Sequence, residues 1–502
     1  MAKARKMLMN ESFEIKGIWF LPGQDMQKDG VKGFLKYSPK ETTLDLIGTF
    51  QKNEEEFILT MLQPAEKLII YGFSDSGKCI TLCDCLSLSG KMSFPGFSTT
   101  SYLINRFFIG TQYINSENDK IIETCNFSFT YLDAWLADLQ IMNKNFNPKT
   151  IDSNISIDSS RLIGQKKKIS LQKENVSICE AIFYKFIFPS EYYTEETTEI
   201  VFNRFYRLSS NDDRLLSYND CSAILHKLKR LLTLLIGSPL YVSFIELNLP
   251  AEMISSSEGE PVEQRPYCRA FFTQGENINK KNNIFPYKPN SVLINRNDIK
   301  NSIETIFSNW FSLQDKISEI ANPYIIDFYL PTYQESKFLN IVRCLETYHR
   351  TFLSVPLETT NDVTFENSRE KIISFINTQI PIENRQSFLD RVNYEDEGSL
   401  QKRLKDLFKK TPNTLMDRLF KNFKSKDVNT MAQKIAQTRN YYTHRDNKQK
   451  YTMLINNSGD LDFYINKLTV ILQFWLLSCI GIEKETIENR LVHFDKNQSA
   501  FT

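Results

Sequence analysis

Histidine is scarce in this chain, with four among 502 residues, and His444 follows Arg439 with only four residues between them. An imidazole can give and take protons near pH 7. A guanidinium is a permanent cation whose planar fork fits phosphate oxygens. Together the two groups could cleave a phosphodiester without a metal ion, His444 by proton transfer and Arg439 by stabilising the charge on the phosphorane.

Similar spacing occurs a second time, at Arg343 and His349, which have five residues between them. With 20 Arg and 4 His in the chain, three allowed spacings give about 0.5 matches by chance. Context must therefore separate the two pairs. Arg343 and His349 lie in one helical pattern from about Glu335 to Leu353, which places them about 120° apart around the axis. His349 falls on the apolar face, so we interpret it as a packed core histidine.

Arg439 and His444 lie where a helical pattern from Val428 to Tyr442 gives way to a polar segment. A regular helix would hold this pair about 140° apart. The end of a helix allows the chain to bend, and we expect such a bend to bring both side chains into one pocket. The alternative is a solvated helix terminus, where cations interact favourably with the helix dipole.

The charge around this pair favours a polyanionic partner. Residues 399–450 contain 14 Lys and Arg against 4 Asp and Glu, in a chain whose net charge is only +1. Such local basicity attracts RNA in a salt-dependent way, although basic runs are also common on solvated helix faces. Tyr441 and Tyr442 could stack on unpaired bases. We predict that these two tyrosines and Arg445 bind RNA.

A second motif, Gly72–Lys78, has the spacing of a phosphate-binding P-loop and follows a strand-like run. Cys79, however, stands where a Ser or Thr hydroxyl should bind magnesium. The residues after it alternate like a strand, whereas a P-loop must open a helix. We therefore predict a β-hairpin turn at Asp75–Gly77.

A third cluster, formed by Cys79, Cys83 and Cys85, could suggest zinc. It contains no Cys-x-x-Cys pair and has no neighbouring His to complete a tetrahedral set. Even separations put the three residues on one face of a strand. We expect small buried thiols that pack a sheet, and we predict neither a metal nor a cofactor for the protein.

The periodicity of the apolar residues changes once along the chain, from strand-like to helical. Before about residue 300, short alternating runs such as Phe13–Phe20 predict a twisted antiparallel sheet, accompanied by an amphipathic helix from about Tyr218 to Ile236. The stretch at residues 143–178, rich in Asn, Ser, Asp and Lys, predicts a linker, and residues 255–266 predict a polar loop.

Long helical patterns follow, and their short connections predict an antiparallel bundle. They run over about residues 335–353, 400–410, 415–423, 428–442 and 461–482. The predicted fold class is therefore α+β. A β-rich region at 1–320, with a possible subdivision near 145–178, precedes a helical domain at 330–502.

Several features bear on the protein's location. Nine scattered cysteines are typical of reduced intracellular thiols, and the basic N-terminus has no apolar run like that of a signal peptide. The longest apolar stretch, Leu468–Ile482, is interrupted by Gln473 and is shorter than the roughly 18 residues that a membrane span needs. We expect a cytoplasmic protein without membrane association, in which this stretch packs the bundle or forms a dimer contact.

The segment Arg439–His444 resembles the signature of HEPN ribonucleases, including the polar Asn440 after the arginine, and the helix Phe338–His349 resembles the opening helix of that family. The N-terminal part has a second resemblance, to the β-rich N-terminal domain of ApeA-type anti-phage defence proteins. The segments that carry it are Gly17–Pro22, Gly33–Tyr37 and Tyr71–Leu82.

These resemblances imply an endoribonuclease that cleaves host RNA, such as tRNA, during phage infection and stops growth. HEPN sites are usually built between two protomers, so at least a dimer is implied. The ribose 2′-OH would attack its own phosphate, with His444 transferring protons, Arg439 stabilising the transition state and Asn440 orienting groups or binding phosphate. Glu346, on the opening helix, could support the site from there, but we interpret it as a solvated carboxylate. The N-terminal region would sense a phage-derived trigger or restrain the nuclease.

Two alternatives remain open. One is a HEPN domain without catalytic activity that binds a nucleotide or scaffolds a partner. The other is an NTPase that uses Gly72–Lys78.

Overall fold

The computed structural model describes residues 8–50, 67–91, 98–136, 142–146, 153–157, 168–187, 199–255, 261–275, 289–330, 332–353, 363–393, 399–420, 427–445 and 447–501. The chain forms two compact units. The first comprises Met1–Thr233 and Leu240–Lys288, and the second comprises Leu234–Pro239 and Pro289–Thr502. The boundaries predicted at residues 320 and 330 stay predictions.

The first unit is built from antiparallel strands and a few helices. The strands are β1 (Phe13–Phe20), β2 (Val31–Tyr37), β3 (Thr42–Ile47), β4 (Leu68–Ser74), β5 (Cys79–Lys91), β6 (Thr99–Leu103), β7 (Arg106–Gly110), β8 (Thr124–Phe129), β9 (Met142–Phe146), β10 (Ser153–Ile157), β11 (Lys168–Leu171), β12 (Val176–Ile187), β13 (Glu199–Ser210), β14 (Val242–Asn248), β15 (Glu252–Ser255), β16 (Pro261–Gln264) and β17 (Tyr267–Phe272). The helices are α1 (Met26–Asp29), α2 (Leu132–Trp135) and α3 (Tyr218–Ile236), the last as predicted.

Thirteen strands form one sheet in the order β11-β12-β13-β8-β14-β17-β7-β5-β4-β1-β2-β3-β6, and β5 also pairs with β6. The long strand β5 serves two neighbours because it is bulged. Asp84 has a φ of +52°, and the register with β4 shifts between Leu68 and Ile70. Before Asp84 the strand pairs with β7, and after it with β6. A bulge of this kind bends a strand and re-aims its pairing.

The predicted hairpin at Gly72–Lys78 is confirmed. Phe73 pairs with Cys79, and the Ser74 amide donates to the Lys78 carbonyl at 2.9 Å. Gly77 has a φ of +76°, a conformation that glycine adopts without steric cost. Because the chain continues as strand β5, no helix begins after this turn to receive a phosphate.

Of the three neighbouring thiols predicted to be buried, Cys83 and Cys85 are, whereas Cys79 is only partly buried. Cys83 is 8% exposed and Cys85 is 0% exposed. Burial raises the pKa of the Cys83 thiol to about 12, so it stays protonated at neutral pH. Among the described residues, no three His, Cys, Asp or Glu side chains are grouped so that they could hold a metal ion.

Two loop predictions are wrong in part. Within the predicted linker at residues 143–178, β9 pairs with β10, and β11 joins β12 in the large sheet. Within the predicted loop at 255–266, β15 pairs with β16. Residues 172–175 form a turn, as a loop prediction requires, and residues 147–152, 158–167 and 256–260 lie outside the described part of the chain. Pairing with a neighbouring strand satisfies the backbone of Asn- and Ser-rich sequence and overrides its preference for turns.

The second unit is helical, which confirms the α+β class. Its helices are α4 (Ile303–Ser312), α5 (Gln314–Ile326), α6 (Gln334–Tyr348), α7 (Val363–Gln379), α8 (Ile382–Asn393), α9 (Leu400–Lys410), α10 (Asn413–Leu419), α11 (Asp427–His444), α12 (Ser458–Cys479), α13 (Lys484–His493) and α14 (Gln498–Phe501). A π-helical turn, His349–Leu353, continues α6. Each predicted helix is present within the described residues, and residues 421–423 of the helix predicted at 415–423 lie outside them.

The apolar stretch Leu468–Ile482 lies in the core of this unit, as the predicted buried helix. Phe474 is fully buried. Gln473, which interrupts the stretch, donates to the Tyr324 hydroxyl and accepts from the Asn497 amide, both at 2.8 Å. These bonds satisfy a polar group that would otherwise destabilise the core. No helix among the described residues combines the length and apolarity needed to cross a bilayer.

Candidate functional site

Helix α11 carries both Arg439 and His444 on its last two turns. The helix continues through His444, its last residue, and the chain leaves it at Arg445, which has a φ of +51° and whose amide donates to the Tyr441 carbonyl at 2.8 Å. The bend expected between Arg439 and His444 therefore does not occur, and the chain turns one residue later. Regular helical geometry keeps the two side chains about 140° apart within one chain.

Arg439 lies partly buried against α6, with its side chain 30% exposed. Its Nη2 is 3.5 Å from Oε2 of Glu346, and its Nη1 donates to Oδ1 of Asn440 at 3.0 Å. Partial burial strengthens such an ion pair relative to one in water. The guanidinium is thus oriented before any substrate arrives, and Asn440 contributes directly to that orientation.

His444 lies in a different environment. Its side chain is exposed, and within the described part of the chain it makes no hydrogen bond or ion pair. An exposed imidazole can exchange a proton with a bound molecule, which a general acid or base requires. One chain alone thus provides an anchored cation and, on another side of the same helix, an accessible proton carrier.

The residues predicted to bind RNA form one cluster at the end of α11. The guanidinium carbon of Arg445 lies 5.2 Å from the centroid of the Tyr442 ring, which packs edge-on against Phe338 at 6.2 Å. Tyr441 contacts Tyr442 at 5.6 Å and Tyr451 at 6.0 Å. Burial raises the pKa of Tyr442. Both tyrosines remain partly exposed, so each retains surface that a base could contact.

The interpretation of Glu346 as a solvated carboxylate is wrong. Its side chain is 16% exposed, and it contacts a cation on each oxygen: Arg350 Nη2 at 3.2 Å on Oε1 and Arg439 on Oε2. Glu346 and Arg439 are 93 positions apart, so only the packing of α6 against α11 brings them together. Sequence reasoning missed Arg350, because nothing in its spacing marks it.

For the second pair, Arg343 and His349, the prediction that His349 is a packed core histidine is confirmed. His349 is 8% exposed, and its Nε2 lies 2.8 Å from Oδ2 of Asp406 in α9, whereas Arg343 is exposed. Lys410 lies 2.8 Å from the same Asp406 oxygen. Partial burial opposes ionisation of Asp406, but hydrogen bonds from Lys410 and His349 outweigh it and lower the pKa of the carboxyl. His349 is therefore a core histidine with a polar anchor.

Within the described part of residues 399–450, most of the basic side chains are accessible. Its exposed cations include Lys402, Lys409, Lys410, Arg418, Lys448 and Lys450. Arg403, at 8% exposure, belongs instead to the interior. Their accessibility gives a polyanion several cations to contact in the helical unit.

Comparison with known families matches both parts of the chain. The family model described as ApeA N-terminal domain 1 matches residues 14–310, and the one described as Apea-like HEPN matches residues 339–486. The second match includes Glu346, Arg439 and His444. No curated protein and no solved structure matches the chain. Because the first match alone covers more than half of its 502 residues, the chain belongs to the ApeA family.

Proposed function

We propose that the protein is a metal-independent endoribonuclease that acts in anti-phage defence, in the cytoplasm, by cleaving host RNA such as tRNA. The observation that carries the proposal is the anchored guanidinium of Arg439 on the same helix as the accessible imidazole of His444. Both lie within the Apea-like HEPN match. A cation for the phosphorane and a group that titrates near pH 7 are what RNA cleavage without a metal requires.

The proposed reaction begins when a ribose 2′-OH attacks the adjacent phosphorus. A new P–O bond forms, the bond to the 5′-oxygen of the next nucleotide breaks, and a 2′,3′-cyclic phosphate remains. His444 would take part in moving the proton from the attacking hydroxyl or to the leaving oxygen. Arg439 would stabilise the negative charge on the phosphorane, with Asn440 holding the guanidinium in place.

A second copy of the chain would complete the site. Within one copy, helical geometry directs Arg439 and His444 about 140° apart. If both act on one phosphate, the simplest arrangement pairs the α11 helices of two copies. The β-rich unit would then respond to a phage-derived trigger or restrain the nuclease, since unregulated RNA cleavage would harm the host cell.

The decisive experiment incubates the purified full-length protein with total RNA in EDTA, with a His444→Ala variant beside it. We expect cleavage by the wild type, products ending in cyclic phosphate, and loss of cleavage in the variant. Sequencing the cut ends identifies the RNA. Equal cleavage by a folded His444→Ala protein would remove this residue from the mechanism, and binding of RNA without cleavage would favour the non-catalytic alternative.

The shared site has a separate test by mixing variants. Arg439→Ala protein and His444→Ala protein are each expected to be inactive. If one phosphate takes Arg439 from one copy and His444 from the other, unfolding and refolding the two together restores about a quarter of wild-type activity, because half of random dimers carry one intact site of two. If subunit exchange between the two variants is demonstrated and no cleavage activity returns, this arrangement is contradicted.

A further inference from the structure

We propose that Arg350 is a second phosphate-binding cation of this site, delivered by the end of α6 and held beside Arg439 by the shared carboxylate of Glu346. The proposal rests on the proposed function in that it places the RNA backbone next to Arg439. It adds a residue from outside the Arg439–His444 segment.

The geometry of Glu346 carries the inference. Its Oε1 lies 3.2 Å from Nη2 of Arg350, and its Oε2 lies 3.5 Å from Nη2 of Arg439. One carboxylate therefore lies between two guanidinium groups, and the three side chains together carry a net charge of +1. A single phosphodiester would neutralise the cluster. Two guanidinium forks, each with five N–H donors, also match the several acceptor oxygens of a phosphate.

Exposure distinguishes the roles of the three side chains. Glu346 is 16% exposed and Arg439 is 30% exposed, whereas Arg350 is 54% exposed. The carboxylate is thus the inner group and Arg350 the outer one. Because the Arg350 guanidinium is about half exposed, its ion pair with Glu346 four residues away is partly screened by solvent, and its outer N–H groups can reach a phosphate that joins the Glu346 contact.

The backbone around Arg350 is built to hold its position. The π-helical turn His349–Leu353 is pinned to α9 at both ends: His349 Nε2 lies 2.8 Å from Asp406, and Lys410 Nζ donates to the Leu353 carbonyl at 3.3 Å. Turns of this kind are rare and occur often at functional sites. Burial of His349 fixes the turn from the inside, and its neighbour Arg350 is presented outward to the same carboxylate as Arg439.

Binding of a non-cleavable RNA tests the proposal without relying on catalysis. The probe is a single-stranded RNA whose riboses carry 2′-O-methyl groups, and the affinity of the full-length protein is measured over a range of salt concentrations. For Arg350→Gln we expect weaker binding and a salt slope, log K against log salt, that is lower by about 0.7 because one phosphate contact is lost. Arg350→Lys should keep most of the slope, since it keeps the charge.

Arg343→Gln is the matched control, because Arg343 is an exposed arginine on the same helix that lies outside the cluster. It should leave the salt slope unchanged. The proposal is overturned if Arg350→Gln keeps the wild-type slope, or if Arg343→Gln lowers it equally. Thermal unfolding of each variant shows whether a change reflects misfolding.

Glu346→Gln provides a signature that a purely structural residue would not give. Removing the negative charge raises the net charge of the cluster by one, so binding should become tighter and its salt slope steeper. Cleavage should nevertheless become slower, because Arg439 loses its anchor. Weaker binding by this variant would contradict the cluster.

The two proposals fail in different ways. If wild-type protein binds the probe and Arg350→Gln lowers the salt slope, but natural RNA is never cleaved, the phosphate site stands and the nuclease proposal fails. If it cleaves RNA but Arg350 has no effect on binding, only the present inference fails. A wild-type protein that does not bind the probe at any salt concentration would overturn the phosphate site.

Discussion

The two Arg–His segments of the helical unit have almost the same spacing and opposite environments. Arg343 is exposed and His349 is buried against Asp406, whereas Arg439 is anchored by Glu346 and His444 is exposed. The imidazole that could exchange a proton with a substrate therefore belongs to the second segment. Spacing selects candidates, and burial decides which imidazole is accessible.

The two segments are nonetheless coupled. The helix that carries Arg343 also supplies Glu346, and the turn that begins at His349 supplies Arg350. The first segment therefore positions the second, and its histidine contributes to packing. Substitutions in the two segments should accordingly separate effects on activity from effects on stability.

The largest expected effect is on cleavage by the second segment. Arg439→Ala and His444→Ala should each slow RNA cleavage by about 10²- to 10⁴-fold, because each removes a group that the proposed mechanism uses in the transition state. Single-turnover cleavage of a defined RNA measures the effect. Arg343→Ala is the matched control and should stay within about twofold of wild type. A comparable loss in Arg343→Ala would erase the distinction between the segments.

The next effect is on stability, which should depend on the histidine of the first segment and not on that of the second. His349→Ala should lower the free energy of unfolding by about 1–3 kcal/mol, because it leaves a cavity and removes the partner of Asp406. His444→Ala should change it by no more than about 0.5 kcal/mol, since that side chain is exposed. Urea denaturation of both variants measures the two changes in unfolding free energy. Equal destabilisation would mean that His444 is packed in solution.

A smaller effect should appear at acid pH. Hydrogen bonds from Lys410 and His349 lower the pKa of Asp406 in the folded protein below 3.8, despite opposing burial. A depressed carboxyl pKa adds stability above the unfolded value, and that stability disappears as the pH falls through the folded value. The gap in unfolding free energy between wild type and Asp406→Asn should therefore depend on pH in the acid range. It should narrow below pH 3.8, and a gap that widens there would contradict the assignment.

The smallest effect concerns the Gly72–Lys78 motif, for which spacing alone suggested a P-loop. Lys78→Ala should leave nucleotide binding unchanged and stability within about 0.5 kcal/mol, because Lys78 follows a hairpin turn and packs over the Tyr267 ring at 5.3 Å. Calorimetric titration with ATP and magnesium measures the binding. Detectable binding in the wild type that disappears in the variant would restore the NTPase alternative.

Much of the fold could be predicted because its signals are local. Alternation identified β1 and the two strands on either side of the Asp75–Gly77 turn, and helical periodicity identified α3, α6, α9, α11 and α12. The errors fell where local preference and pairing disagree. The strands between residues 142 and 171 are rich in Asn and Ser, and only a partner strand makes them β structure.

The sequence by itself determined which groups could do chemistry: the Arg439–His444 spacing, the basic stretch around it, and a hairpin in place of a P-loop. Only the tertiary structure decided which groups meet. Glu346 lies between Arg439 and Arg350 because α6 packs against α11, and His349 is buried because α9 supplies Asp406. Periodicity is a property of neighbouring residues, whereas an ion pair across 93 positions depends on how whole helices pack, and no local pattern records that.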